Sequence, residues 1–505
     1  MVTNLMSSRR TNDVNTALKT VLDIPIIVAG VCHYPTQRAE VHEVRYENGM
    51  VIRVPTLTRD DIKTIESTRT EAGARLGTLT NQELTGFLQE VGNHWLSEQS
   101  AGRQLVRSHA ATFTGLPADM IEVDCWSIGA FMAGRAFIYD AIASEFGSER
   151  FFDEWHPVQM CFRRAFPRGL ALHYLVGNIP LASLYSLLRG IITRNMNLVK
   201  WATRDPITPL GFVQAFLEVD PSHPVSRSLS VAYWPHQALI EEACLRIADT
   251  VCVWGSGEAV EAIKRKVGPG IPISEYGPRR TAAVVDLEAC DVDRAAYRLV
   301  EDVAFYDQEA CLSCQRAFVR GDVDDFVEKL GDCFELFSQH YPISAFSRDV
   351  SAHRSLSLLE AKYMGWKVKM GCDWAVVVAK EPQALTAHPL CRTLYIHPIQ
   401  EVGEVARYLD RRTQTLSVYP WSLTQTFRDT WARCGVDRLV DLGGARMPRP
   451  GLTHDGTFGL HPFVRIVCVE RELTDHSKYW TSNDHDEWER LRFRGPEHVS
   501  RGSKL

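Results

Sequence analysis

A chain of 505 residues is too long for one hydrophobic core, so two or three packed units are expected. Apolar residues make up 45% and charged residues 23%, an ordinary globular balance, and a net charge of -6 argues against a nucleic-acid surface. The 13 cysteines are an odd number with no secretory leader before them, which argues against a disulfide framework and for a reducing cytoplasm.

In chain order, the first hundred or so residues are mixed. The stretch "EVHEVRYENGMVIRVP" alternates around Glu47-Asn48-Gly49, a hairpin signal. "TNQELTGFLQEVGNHWLSEQ" has helical spacing, with Asn81 as the expected cap. The most apolar run, "GLALHYLVGNIPLASLYSLLRGIIT", is long enough to span a bilayer. His173, Asn178 and Arg189 interrupt it, however, and Gly177 and Pro180 break it midway. It reads as a buried strand, a loop and a buried helix, with no membrane span.

From about Trp126 helices alternate with short apolar strands. The expected strands are "LALHYLV", "NLVKW", "LSVAYW", "TVCVWG" and "TAAVVD", and helical runs such as "HQALIEEACLRIA" and "GEAVEAIKRKV" separate them. That rhythm is the mark of a doubly wound α/β sheet, because each parallel pair needs a crossover helix. A second cycle follows "EYGPRRTAAVVD". There the helical "VDRAAYRLVEDVAFY" leads through a cysteine loop to the strand "RAFVRG" and the helix "VDDFVEKLGDCFELF". A further α/β portion runs to about residue 440. No internal repeat interrupts the chain. The basic tail "RLRFRGPEHVSRGSKL" reads as a solvated end, and Ser503-Lys504-Leu505 matches a peroxisomal address only if the source is eukaryotic.

Several segments carry chemistry. In "FYDQEACLSCQR", Cys311 lies after a helix and before a strand, among Asp307, Gln308 and Ser313, where backbone N–H groups can favour a reactive thiolate. A buried structural thiol is the commoner fate of such a residue. Zinc is not expected, because no second paired cysteine motif exists to complete four ligands; Cys314 remains a partner that could trap Cys311 in a disulfide. In "GNIP", Asn178 stands at a strand's carboxyl end, where a side-chain amide can donate to an oxyanion or simply cap a turn. Lys200 ends the strand "NLVK". Gly255-Ser256-Gly257 sits between a strand and a helix, a position that aims N–H groups at a diphosphate without completing the full glycine fingerprint. Glu275, in "SEYGPRR", is either a base near the thiol or a surface carboxylate.

The order of these segments resembles the aldehyde dehydrogenase superfamily: Asn in a Pro-containing loop, a strand ending in Lys, strand–Gly-Ser–helix, Glu-Tyr-Gly-Pro-Arg, then Cys shortly before the Arg of "RAFV". Within it the chain is most similar to the bacterial luminescence-type fatty-acyl-CoA reductases, the LuxC family. The matching stretches are "GNIP", "WGSGEAVEAI", "YGPRR", "YDQEACLSCQ", the late "HDG" (His454 to Gly456) and "RTLYIHPI". The last stands where ordinary aldehyde dehydrogenases carry Glu-x-Phe-Gly-Pro. Two departures mark a divergent member: Leu312-Ser313-Cys314 replaces the usual Ser-Ser-Pro, and Arg279 replaces a Lys.

The resemblance implies an aldehyde-dehydrogenase-like α/β fold of two doubly wound, Rossmann-like domains with N- and C-terminal extensions. Residues 1–120 would form a mixed extension, 121–285 an NADP-binding domain, 286–440 a catalytic domain with the nucleophile, and 441–505 a return segment and tail. It implies NADPH-dependent reduction of an acyl-CoA or carrier-bound thioester to an aldehyde through acyl-Cys311, with Asn178 and Glu275 catalytic. Lys200, Gly255 and Ser256 would bind the cofactor. An acyl-activating ligase partner and a homo-oligomer are implied on the same grounds. Two alternatives stay open, NAD(P)-linked aldehyde oxidation and a non-catalytic scaffold of the same fold. The acyl chain and its carrier are not legible.

Overall fold

The computed structural model describes residues 20–158, 161–236, 238–343, 348–379, 388–449 and 451–470. Two seven-stranded sheets organise it. The first runs Ile273–Tyr276, Thr250–Trp254, Leu170–Tyr174, Met196–Lys200, Leu229–Ala232, Ile26–Val28, Val31–His33. Its first five strands are parallel, and the Ile26–Val28 and Val31–His33 pair joins antiparallel at the edge. Four of the parallel strands are short apolar runs, as expected where both faces of a sheet are covered, and all four were legible as such. The fifth, Ile273–Tyr276, carries no such run, and its pairing beside Thr250–Trp254 makes it a strand.

The second sheet runs Lys367–Met370, Ala375–Val378, Thr393–Pro398, Cys314–Arg320, Arg280–Asp286, Thr413–Tyr419, Arg438–Asp441. Only Lys367–Met370 is antiparallel to its neighbour. Helices Val292–Ala304 and Val323–His340 cover it, as the second cycle of the sequence predicts. The doubly wound, two-sheet α/β fold is therefore the one expected.

Ahead of these sheets, Val41–Arg45 and Val51–Pro55 pair antiparallel around Gly49 at φ +83°, a left-handed position that glycine takes without strain. Five helices between Arg59 and Phe146 then pack into the first core. The helix Asn81–Leu96 corrects one expectation. Its cap is Thr80, whose hydroxyl accepts from Glu83 N while Glu83 reaches back to Thr80 N, so Asn81 is the first helical residue instead.

The apolar run at 169–193 becomes the strand Leu170–Tyr174, a loop and the helix Pro180–Ile192. No helix among the described residues is long and apolar enough to cross a membrane. A three-stranded sheet, Val464–Glu470, Cys161–Pro167 and His156–Val158, completes the fold. The basic tail and Ser503-Lys504-Leu505 lie outside the described residues.

Candidate active site

A cavity of about 780 Å³ opens where the carboxyl ends of the first sheet face the edge of the second. Asn178, Gly255, Ser256 and Cys311 all line it. Four of the six expected site residues thus share one space, contributed by three loops far apart in sequence. Helix Pro180–Ile192 adds Leu181, Tyr185 and Leu188, and Phe131 and Leu460 extend this apolar wall.

The loop carrying Cys311 is held in an unusual backbone state. Tyr306, Asp307 and Gln308 all adopt left-handed φ values, +60°, +51° and +64°. Each costs about 1–2 kcal/mol for a residue with a Cβ, so the surroundings must impose it. Tyr306 donates its hydroxyl to Asp124 Oδ1 at 2.6 Å. Asp307 accepts from Arg392 Nε at 2.8 Å. Gln308 donates to the carbonyls of Cys314 and Thr393 at 2.8 and 2.7 Å, and its Oε1 accepts from Thr393 N at 2.7 Å.

Arg392 itself is fully buried. It also donates to Asp373 Oδ2 at 2.7 Å and to the Tyr341 carbonyl at 2.6 Å. Its own stretch, Leu390 to Arg392, is left-handed too. Two strained tripeptides therefore interlock, and the segment "RTLYIHPI" acts here as a clamp on the cysteine loop. The Cys311 carbonyl accepts from Thr281 Oγ1 at 2.7 Å, which fixes the next turn.

Cys311 is partly exposed, and the surface it shows is cavity wall. Burial pushes its thiol up to about 12, and the nearby Asp455 carboxylate pushes the same way. The Gln414 amide and the N–H groups of Cys311 and Leu312 pull it back. Cys314 points into the second core, with its thiol on the Arg316 carbonyl at 3.3 Å, and both cysteines are free thiols.

Asn178 donates Nδ2 to the Glu309 carbonyl at 2.7 Å, tying the "GNIP" loop to the cysteine loop, while its Oδ1 has no partner. A primary amide carries two N–H bonds, so one remains for a ligand in the cavity.

On the opposite wall, Ser256 caps the helix Gly257–Lys264 by accepting from Ala259 N at 3.3 Å. This places the free first-turn N–H groups beside the cavity, a fit for a diphosphate. Lys200 does not reach the cavity. It lies buried over the rings of Tyr174 and Trp234, 3.8 Å from Glu241 Oε1. Burial lowers its ammonium below the usual range, with Glu241 opposing the shift. Its strand is the second neighbour of Thr250–Trp254 in the sheet, roughly 10 Å away.

Glu275 does not reach the cavity either. Strand alternation turns Tyr276 inward and Glu275 outward, where it pairs with Lys264 at 2.8 Å. Gln414, His454 and Asp455 form a buried cluster, of which Asp455 and Gln414 act electrostatically on the Cys311 thiol. The triplet "HDG" was visible in the sequence, but nothing there linked it to Gln414, which opens the strand Thr413–Tyr419 of another element.

The sequence model of the family described as "Acyl-CoA reductase (LuxC)" matches residues 77–466. A long-chain acyl-protein thioester reductase from Vibrio harveyi is 35% identical over 402 residues, covering 78% of this chain and 84% of its own. Another of the same description, from Photobacterium phosphoreum, is 31% identical over 460 residues, covering 90% and 93%. Among solved structures, aldehyde dehydrogenase 21 from Physcomitrella patens superposes with a TM-score of 0.70 at 13% identity, covering 90% of this chain and 99% of that one. That likeness is one of fold.

Proposed function

The chain belongs to the acyl-CoA reductase (LuxC) family, and from that premise we propose that it is an enzyme reducing an acyl thioester to an aldehyde with NADPH. The observation that carries this reading is the sharing of one cavity by Cys311, Asn178 and the Gly255-Ser256 turn, with an apolar wall beside the sulfur. Cys311 attacks the thioester carbonyl. A carbon–sulfur bond forms to Cys311, the bond to the carrier's sulfur breaks, and the carrier thiol leaves with the proton that Cys311 gave up. The free N–H of Asn178 and the Cys311 N–H hold the oxyanion, a donor pair in which each member contributes about 3 kcal/mol.

Gly255 and Ser256 would hold the cofactor's diphosphate, and Lys200 its adenosine ribose or 2′-phosphate. When bound there, NADPH supplies the hydride that turns the acyl-enzyme into an aldehyde. Cys311 is then the leaving group, and the buried clamp keeps it in register for the next acyl group. Glu275, facing Lys264 outside the cavity, takes no step in this scheme.

The relatives' description suggests a long-chain acyl group on a protein carrier. The apolar wall of Leu181, Tyr185, Leu188 and Phe131 suits such a chain. An acyl-activating ligase that presents it, a homo-oligomeric state, a cytoplasmic setting and the division near residues 120, 285 and 440 belong to the same proposal. The test is purified protein with NADPH and acyl-CoA thioesters of graded chain length, following loss of reduced nicotinamide and release of aldehyde. Turnover that disappears in Cys311→Ser is expected. Brisk oxidation of aldehydes with no turnover of any thioester would overturn the reading.

A further inference from the structure

Five arginines line the cavity against two glutamates, Glu145 and Glu309, so its walls carry an excess of positive charge. Three of the five are engaged. Arg204 pairs with Glu309 at 2.7 Å, Arg279 lies 3.8 Å from Asp455, and Arg189 donates to the Tyr276 hydroxyl at 2.7 Å. The guanidinium groups of Arg446 and Arg449 have no hydrogen bond or ion pair among the described residues. We propose that Arg446, with Arg449 beside it, binds a phosphate of a pantetheine-bearing thioester carrier, either coenzyme A or a phosphopantetheinylated protein. This deepens the reductase reading by naming its carrier, and rests on that reading for the thioester.

Arg446 is held in place from behind. Asp302 accepts from Gly443 N and Ala445 N, both at 2.9 Å, and Arg438 donates to the Gly444 and Ala445 carbonyls at 3.0 and 2.6 Å. Asp302 and Ala445 are both buried, so the turn leading into Arg446 is anchored in the second core. The half-buried guanidinium then lies over the Phe305 ring, 4.1 Å from its centroid. Stacking on an aromatic face fixes the plane of the group and leaves its edge N–H bonds free to donate.

Phe305 opens the cysteine loop, and its carbonyl accepts from Ser313 Oγ at 3.1 Å. Ser313 is two residues past Cys311. With at most about 3.6 Å per residue, Phe305 and the cation on its ring stand on the order of 10 Å from the sulfur. A pantetheine arm crosses such a gap between thioester and phosphate.

The choice of anion follows from the walls. The surface along helix Pro180–Ile192 is apolar and suits the acyl chain, which brings no charge. The cofactor's diphosphate is proposed for the Gly255-Ser256 turn on the opposite wall. What remains for Arg446 is the leaving half of the thioester. A planar guanidinium presents paired N–H bonds that match two phosphate oxygens, and Arg449 adds a second charge where the cavity is exposed. A thioester on a bare protein cysteine offers no such group.

The test compares three thioesters of one long acyl chain with NADPH: acyl-CoA, acyl-4′-phosphopantetheine and acylpantetheine, which has no phosphate. A hydrogen bond to a charged group is worth a factor of roughly 10–100, so wild-type kcat/KM should favour the phosphate-bearing forms by that much. In Arg446→Gln the preference should shrink about tenfold or more, with KM for NADPH held. The wild-type comparison needs no substitution, so it stands whether or not the variant folds well. Equal gains for the phosphopantetheine and CoA forms would assign the site to the phosphate that both carriers share. A gain confined to CoA would assign it to that molecule's nucleotide phosphates and name free coenzyme A as the carrier.

Equal kcat/KM for all three thioesters would overturn the proposal. So would a raised KM for NADPH in Arg446→Gln with the thioester preference intact, which would give the cation to the cofactor. Calorimetric titration with coenzyme A alone needs neither an acyl chain nor reduction. Binding about tenfold weaker in Arg446→Gln, with no thioester turned over by the wild type, would sustain the phosphate site and count against the reductase reading. Equal binding in both proteins would count against the site itself.

Discussion

The two walls of the cavity are built on opposite plans. The sulfur wall is over-determined: three left-handed residues before Cys311 are bound by Asp124, Arg392 and Thr393, all contributed from a distance and all buried. The wall proposed for the cofactor is under-determined. At its Gly255-Ser256 turn the bonds are Gly255 N to the Tyr276 carbonyl at 3.1 Å and the exposed cap from Ser256 to Ala259 N. A covalent nucleophile must meet its carbonyl within a fraction of an ångström, which rewards rigidity. A dinucleotide that enters and leaves on every turnover needs backbone donors with room around them.

Breaking the clamp should have the largest effect. Arg392→Ala leaves Asp307 and Asp373 without their shared cation in a buried site, and removing one partner of such a network costs about 3–5 kcal/mol. Urea unfolding should show that loss, and Cys311 acylation should fall in whatever folded fraction remains. A variant of near wild-type stability would mean the cation is dispensable and the comparison wrong.

Gln308→Ala comes next. It strips three bonds from buried backbone groups, for about 2–4 kcal/mol in stability. In the folded protein kcat for acylation should drop while KM for the thioester holds, because the residue touches the loop and not the acyl chain.

Ser256→Ala sharpens the other wall. The cap is worth about 1 kcal/mol, and its loss should raise KM for NADPH several-fold while leaving the acylation burst intact. A burst that falls with it would show that the walls are mechanically coupled and not separate.

What could be read from the chain follows the same division. The wall proposed for the cofactor is local: Ser256 stands between the strand Thr250–Trp254 and the helix Gly257–Lys264, so its place between strand and helix was legible from spacing alone. The run around Asn178 was equally plain, since strand, loop and helix are contiguous. The sulfur wall depends on pairs such as Asp307 with Arg392, Gln308 with Thr393 and Gln414 with Asp455, and no local pattern announces partners so distant in sequence.

The outward turn of Glu275 was hidden for a related reason. It depends on whether residues 273–276 are a strand, and only the neighbouring Thr250–Trp254 decides that. The cap of the second helix was a different kind of miss, because Thr80-x-x-Glu83 is itself a capping-box pattern and could have been preferred to Asn81.

The smallest effect concerns Asp124, which ties the cysteine loop to the helix after Asn178: it accepts from Tyr306 and from Leu181 N. Burial raises its carboxyl to about 7, against the opposing pull of these two donors and of Arg446. With an unfolded value near 3.8, the folded protein binds this proton more tightly. Its contribution to stability is therefore full below pH 4, falls as pH rises toward 7 and is level above that, by at most about 1.4 kcal/mol per pH unit. Asp205, Asp302 and Asp307 fall in the same direction, but burial carries each only to about 6. The interval between pH 6 and 7 is thus left mainly to Asp124 among these carboxylates. Asp124→Asn keeps an acceptor for Tyr306 and cannot ionise, so its urea midpoint should fall less steeply than the wild type from about pH 4 to 7, most distinctly between pH 6 and 7 where the other three carboxylates no longer contribute. An equal slope in both proteins from pH 6 to 7 would mean that burial between the cysteine loop and this helix does not hold the Asp124 proton.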